Sequence, residues 1–384
     1  MPALLPNVDP DGLLEYSVVY TDRSLNHMSA KFQQVMRDLS SMLKQAYNAQ
    51  AAVIVPGSGT FAMEAVARQF VQGAQVLIVR NGWFSYRWSQ IIETGHLSDK
   101  VTVLKARRVA DASESPFMPA PIAEVVATIA REKPAVVFAP HVETSAGMML
   151  PDDYLRAVAD AVHAVGGLFV LDCIASGAMW VDMQATGVDV LVSAPQKGWS
   201  GQPCCGFAML SERALQRLET TTSDSFSCDL KKWHQIMQAY EKGTHAYHAT
   251  MPTDTLAGVR DQMREAFSYG LPALKAAQME LGRAARASLE RRGVKSVAAP
   301  GFQAPGVVVS YTRDPDIQNG KKFVAQGMQI AAGVPLACDE PADYMSFRLG
   351  LFGLDKWKDV PAAVQRLDAA LDAVGLHLPE KAHR

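Results

Sequence analysis

The sequence predicts an α/β protein built on a mostly parallel sheet, and three observations lead to that prediction. Seven short apolar runs, rich in β-branched residues, recur through the first 210 residues. Amphipathic stretches of helical length separate most of these runs, and such alternation is typical of a doubly wound sheet. Near residue 255 the pattern changes to a long helical stretch followed by weaker strands, which predicts a smaller C-terminal α/β domain.

The predicted strands of the large sheet are buried on both faces, because they are continuous apolar runs rather than alternating ones. In chain order they cover Ala51–Pro56, Gln75–Arg80, Lys100–Ala106, Ala135–Pro140, Leu168–Cys173, Asp189–Ser193 and Gly206–Leu210. Helices are predicted at Phe61–Val71, Pro121–Arg131 and Asp152–Val165. In the C-terminal part, a helical stretch from Leu256 to about Arg292 precedes strands at Gly306–Tyr311 and Phe347–Leu351.

The chain is therefore expected to have three parts. Residues 1–20 are rich in Pro and Asp and are predicted to form an N-terminal arm. Residues 21–255 form the large domain, and residues 256–384 form a linking helix with the small C-terminal domain. A length of 384 residues suits such a division, because a single core of that size is uncommon.

Composition excludes several classes of protein. The 37 basic and 39 acidic residues give a net charge of −2 without blocks of like charge, so neither nucleic acid nor a membrane surface is an expected partner. The opening MPALLPNVDPDG does not resemble a signal peptide, and no apolar run approaches the roughly 20 residues that span a bilayer, which predicts a cytoplasmic protein. Five cysteines without C-x-x-C spacing predict neither disulfides nor a metal site.

Ligands of open α/β sheets lie beyond the carboxyl ends of the strands, so the residues after each apolar run are the candidates for chemistry. The first run ends in Pro56-Gly57-Ser58-Gly59-Thr60, which leads directly into a helical pattern. Glycines allow close approach, and a helix N-terminus and hydroxyls supply donors, so the segment predicts a phosphate site. A simple turn capped by Ser58 or Thr60 is the alternative. No Walker A lysine and no G-x-G-x-x-G pattern indicates a nucleotide.

Two later strands lead to charged residues. Asp172 ends an apolar strand and is expected to be partly desolvated, so it needs a partner. A pyridinium N–H is such a partner, because the ion pair keeps a ring nitrogen protonated, whereas capping of the next turn is the alternative. Lys197 follows another buried strand, where burial and nearby cations would lower its pKa and favour a Schiff base with an aldehyde. A solvated loop lysine is the alternative.

Several segments in the same order resemble the class V aminotransferases, which have fold type I and use pyridoxal 5'-phosphate. These segments are Val53–Val66, His141–Gly147, Leu171–Ser176 and Ser193–Gly206. The resemblance covers roughly residues 25 to 360 and is strongest to alanine/serine-glyoxylate and 2-aminoethylphosphonate-pyruvate transaminases. It implies a large cofactor-binding domain, a small-molecule amino donor, a 2-oxo acid acceptor and a homodimer with composite active sites.

The resemblance also implies roles for the residues around the cofactor ring. Lys197 would form the Schiff base and shuttle a proton between the substrate α-carbon and the C4′ carbon of the cofactor. Asp172 would pair with the pyridine nitrogen. Ile174 would pack on one face of the ring, and an aromatic side chain would stack on the other face. Phe84 aligns best with that aromatic residue, and Trp83 is the alternative.

The remaining implied roles concern the phosphate and the substrate. Thr144 would lie beside the phenolic oxygen of the cofactor, and Arg348 would bind the substrate carboxylate. Tyr247 and Thr250 match residues that reach across a dimer interface to the partner's cofactor phosphate. The residues of the same chain that match phosphate-binding positions are Ser58, Gly59, Thr60 and Gln196.

The reaction is expected to be a transamination. Cysteine desulfurases of this fold carry His before the lysine and His on the ring, whereas here Gln196 and an aromatic hold those places. The first hypothesis is transfer from an alanine- or serine-type donor to glyoxylate or pyruvate. The alternatives are a 2-aminoethylphosphonate-pyruvate transaminase and a non-catalytic homodimer that retains the fold. The unusual stretch Tyr16–Ser29, with Arg23, leaves the donor open, and His141 is assigned no catalytic role.

Overall fold

The computed structural model describes residues 12–379, so residues 1–11 of the predicted arm and residues 380–384 lie outside the described part. In chain order, the strands are β1 (Ala51–Pro56), β2 (Val76–Arg80), β3 (Val101–Lys105), β4 (Arg107–Arg108), β5 (Phe117–Met118), β6 (Val136–Pro140), β7 (Val142–Glu143), β8 (Met148–Met149), β9 (Leu168–Asp172), β10 (Val190–Ser193), β11 (Cys205–Leu210), β12 (Val307–Tyr311), β13 (Ala331–Ala332) and β14 (Ser346–Gly350).

Helices alternate with these strands and dominate the C-terminal part. They are α1 (Ala30–Tyr47), α2 (Gly59–Phe70), α3 (Trp83–Thr94), α4 (Ile122–Glu132), α5 (Asp152–Ala164), α6 (Met183–Thr186), α7 (Glu212–Thr220), α8 (Leu230–Glu241), α9 (Thr253–Tyr269), α10 (Leu271–Arg291), α11 (Pro315–Gln318), α12 (Lys321–Val324), α13 (Leu354–Trp357) and α14 (Val360–Ala373). Among the described helices, none is long and apolar enough to cross a membrane.

The central sheet confirms the predicted fold class. Its seven strands run in the order β1-β11-β10-β9-β6-β2-β3, and only β11 is antiparallel to its neighbours. Each predicted strand of this sheet is present with ends within one residue of the prediction. Most of their side chains are buried, as the continuous apolar runs required.

The long C-terminal helical stretch corrects one prediction. The sequence pattern indicated a single helix from Leu256 to about Arg292, but two helices, α9 and α10, are present. Gly270 separates them with a φ of +91°, a backbone conformation that ends a right-handed helix. The apolar periodicity continues through both helices, which explains the prediction of one. The predicted boundary between residues 255 and 256 falls inside α9.

A second, smaller sheet lies in the C-terminal part, with the order β12-β14-β13. Its strands are antiparallel, and Arg348 on β14 pairs with Val309 on β12. The first and central strands correspond to the two predicted at Gly306–Tyr311 and Phe347–Leu351. This sheet supplies Arg348, whereas the loops at the carboxyl ends of the parallel strands supply the other charged groups of the candidate site.

Candidate functional site

The turn between β1 and α2 has the geometry of an anion site. Gly57 has a φ of +118°, and Ser58 has an extended backbone with φ −159° and ψ 176°. The Ser58 side chain makes no capping hydrogen bond, so its hydroxyl is not used by α2. The first N–H groups of a helix have no acceptor within that helix. Hydroxyl and amide donors therefore converge at this turn.

Gly59 is held at a position without room for a side chain. A Cβ atom there would lie 2.6 Å from Ile174 Cδ1 and 3.2 Å from Ala194 Cβ. Behind the turn, a Cβ atom on Gly206 would lie 2.6 Å from the Ser58 carbonyl oxygen. Because strand β11 and the segment after β9 both press against the turn, the cradle formed by Ser58–Thr60 has a fixed shape.

Asp172 lies at the end of β9 with its side chain 7% exposed. Its Oδ1 accepts a hydrogen bond from Ile174 N at 2.9 Å. Burial raises the pKa of Asp172 to about 6, although the Ile174 amide and the charge of Lys197 act in the opposite direction. The carboxylate is therefore poorly compensated and would gain from a cationic partner.

Lys197 follows β10 and is largely shielded from solvent. Burial lowers the pKa of its amine, and the charges of Arg348 and Arg87 act in the same direction, while Asp172 opposes them. A depressed pKa increases the fraction of neutral amine, which is the nucleophilic form. Lys197 Nζ lies 6.0 Å from the centroid of the Phe84 ring.

Phe84 stands among three cations at the start of α3. Besides Lys197, the guanidinium carbons of Arg87 and Arg348 lie 5.3 and 5.6 Å from its ring centroid. Trp83 instead contacts Tyr86, with 5.6 Å between ring centroids. Of the two aromatic candidates, Phe84 is thus the one that shares a site with the charged groups.

Glu143 fixes the beginning of α3 and was not singled out by the sequence. It is fully buried and accepts hydrogen bonds from Phe84 N at 3.1 Å, from Ser85 N at 2.8 Å and from Ser85 Oγ at 2.7 Å. It also accepts from the amide and hydroxyl of Ser145. A carboxylate at a helix N-terminus is favourable, because it meets unpaired N–H groups. Its charge is the feature of the sequence that could have pointed to it, since Glu143 is the one charged residue of the His141–Gly147 segment.

Arg348 is a half-buried residue of β14 whose Nε donates to the Ala332 carbonyl at 2.7 Å. Burial lowers its pKa from the usual value, while Glu143 and Tyr344 oppose that shift. Because a guanidinium remains charged in proteins, Arg348 adds a positive charge to the site. Its Nη groups stay available for a bidentate contact with an acidic ligand.

The other predicted residues occupy different environments. Thr144 is buried next to Glu143, and Ile174 is half-buried against Gly59. Gln196 is exposed and directly precedes Lys197. Two predicted phosphate ligands are not joined to the Ser58–Thr60 cradle by a hydrogen bond within this chain. These are Tyr247 and Thr250, whose side-chain oxygens are 2.9 Å from each other.

His141 has a structural environment. Its Nδ1 lies 2.7 Å from Ser176 Oγ, and burial lowers its pKa to about 4, so the ring is neutral near pH 7. Within residues 12–379, no group of three or more His, Cys, Asp or Glu side chains is arranged to hold a metal ion.

Comparisons with known proteins identify the family of the chain. The sequence profile of the family Aminotransferase class-V matches residues 12–343. The chain is 26% identical to a "Soluble hydrogenase, small subunit" of Synechococcus sp. (strain PCC 6716), covering 91% of this chain and 88% of that protein. It is 29% identical to a 2-aminoethylphosphonate–pyruvate transaminase of Burkholderia ambifaria, covering 92% and 90% of the two chains.

The fold is similar to that of an alanine–glyoxylate aminotransferase from Nostoc sp., with a TM-score of 0.77 at 23% identity over 91% of this chain and 88% of that one. The seven-stranded sheet, the lysine and aspartate at its carboxyl edge and the family match over most of the chain agree with one another. The chain belongs to the class-V aminotransferase family, and it is a pyridoxal-phosphate-dependent aminotransferase of fold type I.

Proposed function

We propose that this aminotransferase holds pyridoxal 5'-phosphate on Lys197 and moves an amino group from a small amino acid of the alanine or serine type to glyoxylate or pyruvate. The observation that carries the proposal is the cluster of Lys197, Arg348 and Phe84, with Asp172 buried at the adjacent strand end. The presence of all four residues also favours an enzyme over a non-catalytic protein that keeps only the fold.

The residues present fit the cofactor at both of its ends. The Ser58–Thr60 cradle offers a free hydroxyl and helix N–H groups, and the close packing of Ile174 and Ala194 against Gly59 fixes its shape. At the other end, the buried Asp172 has no cation from residues 12–379 within hydrogen-bonding distance and suits a positively charged ring N–H. Phe84 and Ile174 are the apolar side chains for the two ring faces.

When bound, the cofactor supplies a reactive aldehyde and an electron-withdrawing ring. The residues of the chain perform the remaining tasks. Lys197, with its lowered pKa, accepts and returns a proton at Nζ. Asp172 keeps a positive charge on the ring nitrogen. Arg348 orients an acidic substrate group through its planar fork. Thr144 and Gln196 are assigned to the phenolic oxygen and the phosphate.

A homodimer with composite sites forms part of the proposal. The side-chain hydroxyls of Tyr247 and Thr250 are hydrogen-bonded to each other, and Tyr247 is 53% exposed. Such exposure suits residues that contact a neighbouring subunit. Phe61, directly after the cradle, is 50% exposed, and the arm residues Leu13 and Tyr16 are more exposed still. Exposed large apolar groups of this kind support burial by a second copy of the chain. The dimer is expected to act in the cytoplasm.

Subunit exchange tests the composite site. Inactive Lys197→Ala subunits are mixed with inactive subunits that carry Tyr247→Phe and Thr250→Ala. Each heterodimer should regain one complete site, so activity should reappear on mixing. An inactive mixture in which exchange has been verified would favour sites built within one chain.

The second candidate is a 2-aminoethylphosphonate–pyruvate transaminase. Several similar proteins carry that name. A phosphonate carries more charge than a carboxylate and would gain from a second cation beside Arg348. Arg23, on the irregular N-terminal segment, is proposed for that role in this version. The two versions therefore differ in their dependence on Arg23.

Single-turnover measurements separate the two donors. The aldehyde form of the cofactor has a visible absorption band, and its loss is followed after mixing with alanine, serine or 2-aminoethylphosphonate. Fast reaction of the amino acids and a strong loss in Arg348→Ala, with little change in Arg23→Ala, are expected. Reaction of the aminophosphonate alone, with a strong Arg23 effect, would reverse the order of the candidates. Undiminished activity in Arg348→Ala would remove the anchor from both.

A further inference from the structure

The residues assigned to the cofactor phosphate are all uncharged. They are Ser58, Gly59, Thr60 and Gln196 of one subunit, with Tyr247 and Thr250 of the second. A phosphate monoester carries a charge of about −1.5 to −2 near pH 7. Burying such a charge without a cation is costly. Lys197 and Arg348 have other proposed tasks, at the aldehyde and at the substrate, so the phosphate still lacks a counterion.

Arg87 is the cation next to the cradle. It lies on α3, one helical turn after Phe84, and its Nη1 donates to Thr60 Oγ1 at 3.0 Å. Its guanidinium carbon lies 5.3 Å from the Phe84 ring centroid. A hydroxyl and an aromatic ring thus orient this side chain, and neither of them neutralises it.

The charge of Arg87 is also uncompensated. No ion pair of the described residues involves it at the 4.0 Å limit for N···O contacts. The side chain is half-buried, and its charge contributes to lowering the pKa of Lys197 and of Asp172. Arg87 is thus a half-buried guanidinium that has no carboxylate partner and lies next to an anion cradle. Such an arrangement favours binding of a strongly negative ligand.

We propose that Arg87 binds the phosphate group of the cofactor together with Thr60 and serves as its fixed counterion, an inference that rests on the proposed function. Binding of a second acidic group of the substrate is the competing role. The contact with Thr60 favours the phosphate, because Thr60 belongs to the cradle, whereas the substrate anchor Arg348 comes from β14 in the other sheet.

The test compares two ligands that differ only in the phosphate ester. Dissociation constants of pyridoxal 5'-phosphate and of pyridoxal are measured on the cofactor-free full-length chain by absorbance, for wild type, R87Q and R87K. The control is R131Q, which makes the same change on the exposed surface of α4. R87Q should weaken pyridoxal 5'-phosphate binding by about 10- to 100-fold, since a hydrogen bond to a charged group is lost. Pyridoxal binding should be unchanged.

R87K is expected to lose less affinity than R87Q, because lysine keeps the charge without the fork. If R87Q does not fold, R87K decides the question through the same comparison of ligands. Equal weakening of both ligands would overturn the proposal in favour of a structural role through Phe84 and Thr60. Unchanged binding of both, with a raised KM for a donor, would assign Arg87 to the substrate. Wild-type protein that binds neither ligand would instead refute the proposed function itself.

Discussion

The proposed cofactor side and the proposed substrate side of the site are built from different kinds of structure. The cofactor side consists of strand ends of the central sheet, where Gly59, Asp172 and Lys197 are held by buried backbone. The proposed substrate side consists of Arg348 from the small sheet and of segment 12–29, which contains no helix or strand before α1. Under the proposal, the reacting groups are held by the buried central sheet, whereas the groups that select the substrate come from the small sheet and from an irregular segment.

The hydrogen bonds of the two sides also differ, because those of segment 12–29 are less buried. In segment 12–29, Glu15 Oε2 accepts from Asn26 Nδ2 at 2.8 Å, and the Tyr20 hydroxyl donates to the Met251 carbonyl at 3.2 Å. These contacts are half-buried or close to solvent. On the proposed cofactor side, four of the five hydrogen bonds that Glu143 accepts are buried, and so is the parallel pairing of Asp172 with Val192. Substitutions on the two sides should therefore have effects of different size and kind.

The largest effect is expected from the lysine on the cofactor side. Lys197→Ala should lower turnover by at least about 10³-fold, because it removes both the attachment point and the proton carrier. Reduction of the wild-type holoenzyme with borohydride, followed by mass mapping, should find the cofactor on Lys197. Lys232→Ala, an exposed lysine on α8, should behave as wild type. Label on a different lysine would show that the central assignment is wrong.

Asp172→Asn is expected to lower turnover by roughly 100-fold or more, because an amide cannot stabilise a positive ring nitrogen and a charge-assisted contact alone is worth about 1.5–3 kcal/mol. Asp189 provides a matched control on the same sheet. It is equally buried but receives hydrogen bonds from Phe169 N and contacts His163 and Ser211. Asp189→Asn should reduce the free energy of unfolding and leave turnover of the folded enzyme unchanged; the opposite result would exchange their roles.

The burial of Asp172 also predicts a pH dependence of stability. Its pKa rises from 3.8 to about 6 in the folded cofactor-free protein, so the folded state binds more protons than the unfolded state between those values. The contribution to stability is present below about pH 4 and is lost as pH rises through about 6, with a magnitude of roughly 3 kcal/mol.

Urea unfolding of the cofactor-free protein measures this effect. The free energy of unfolding of wild type minus that of Asp172→Asn should fall between pH 4 and 6 and then stay constant. Cofactor binding should diminish the fall, because a cation beside the carboxylate lowers its pKa. A difference that is independent of pH would mean that the carboxylate is already compensated without the cofactor.

Sequence reasoning singled out the candidates of the proposed cofactor side because their signals are local. An apolar run that ends in a charged residue marks the carboxyl edge of a parallel sheet, and this rule led to both Asp172 and Lys197. The class V resemblance then supplied their roles. Gly59 was likewise predicted from the turn that it occupies.

The residues that were missed act through contacts that no local pattern records. Glu143 reaches the start of α3 from 58 residues away, and Arg87 meets Thr60 across 27 residues. The choice between Trp83 and Phe84 was open for a related reason. Adjacent residues of a helix point about 100° apart, so one of them faces the site, but only the placement of α3 decides which.

The smallest effect is expected from the N-terminal segment on the substrate side. Glu15 accepts hydrogen bonds from Ser17 and from Asn26, and these contacts lower the pKa of its carboxyl. Glu15→Gln should change the free energy of unfolding by less than about 1 kcal/mol, because the residue is half-exposed and hydrogen bonds of this kind contribute little net stability.

If the segment lines the substrate pocket, KM for the amino donor should still rise, while the affinity for pyridoxal 5'-phosphate stays constant. Glu132→Gln is the control, since Glu132 is the last residue of α4 and also has a lowered pKa. An unchanged KM for every donor would separate the segment from the pocket and leave Arg348 as the remaining substrate contact proposed.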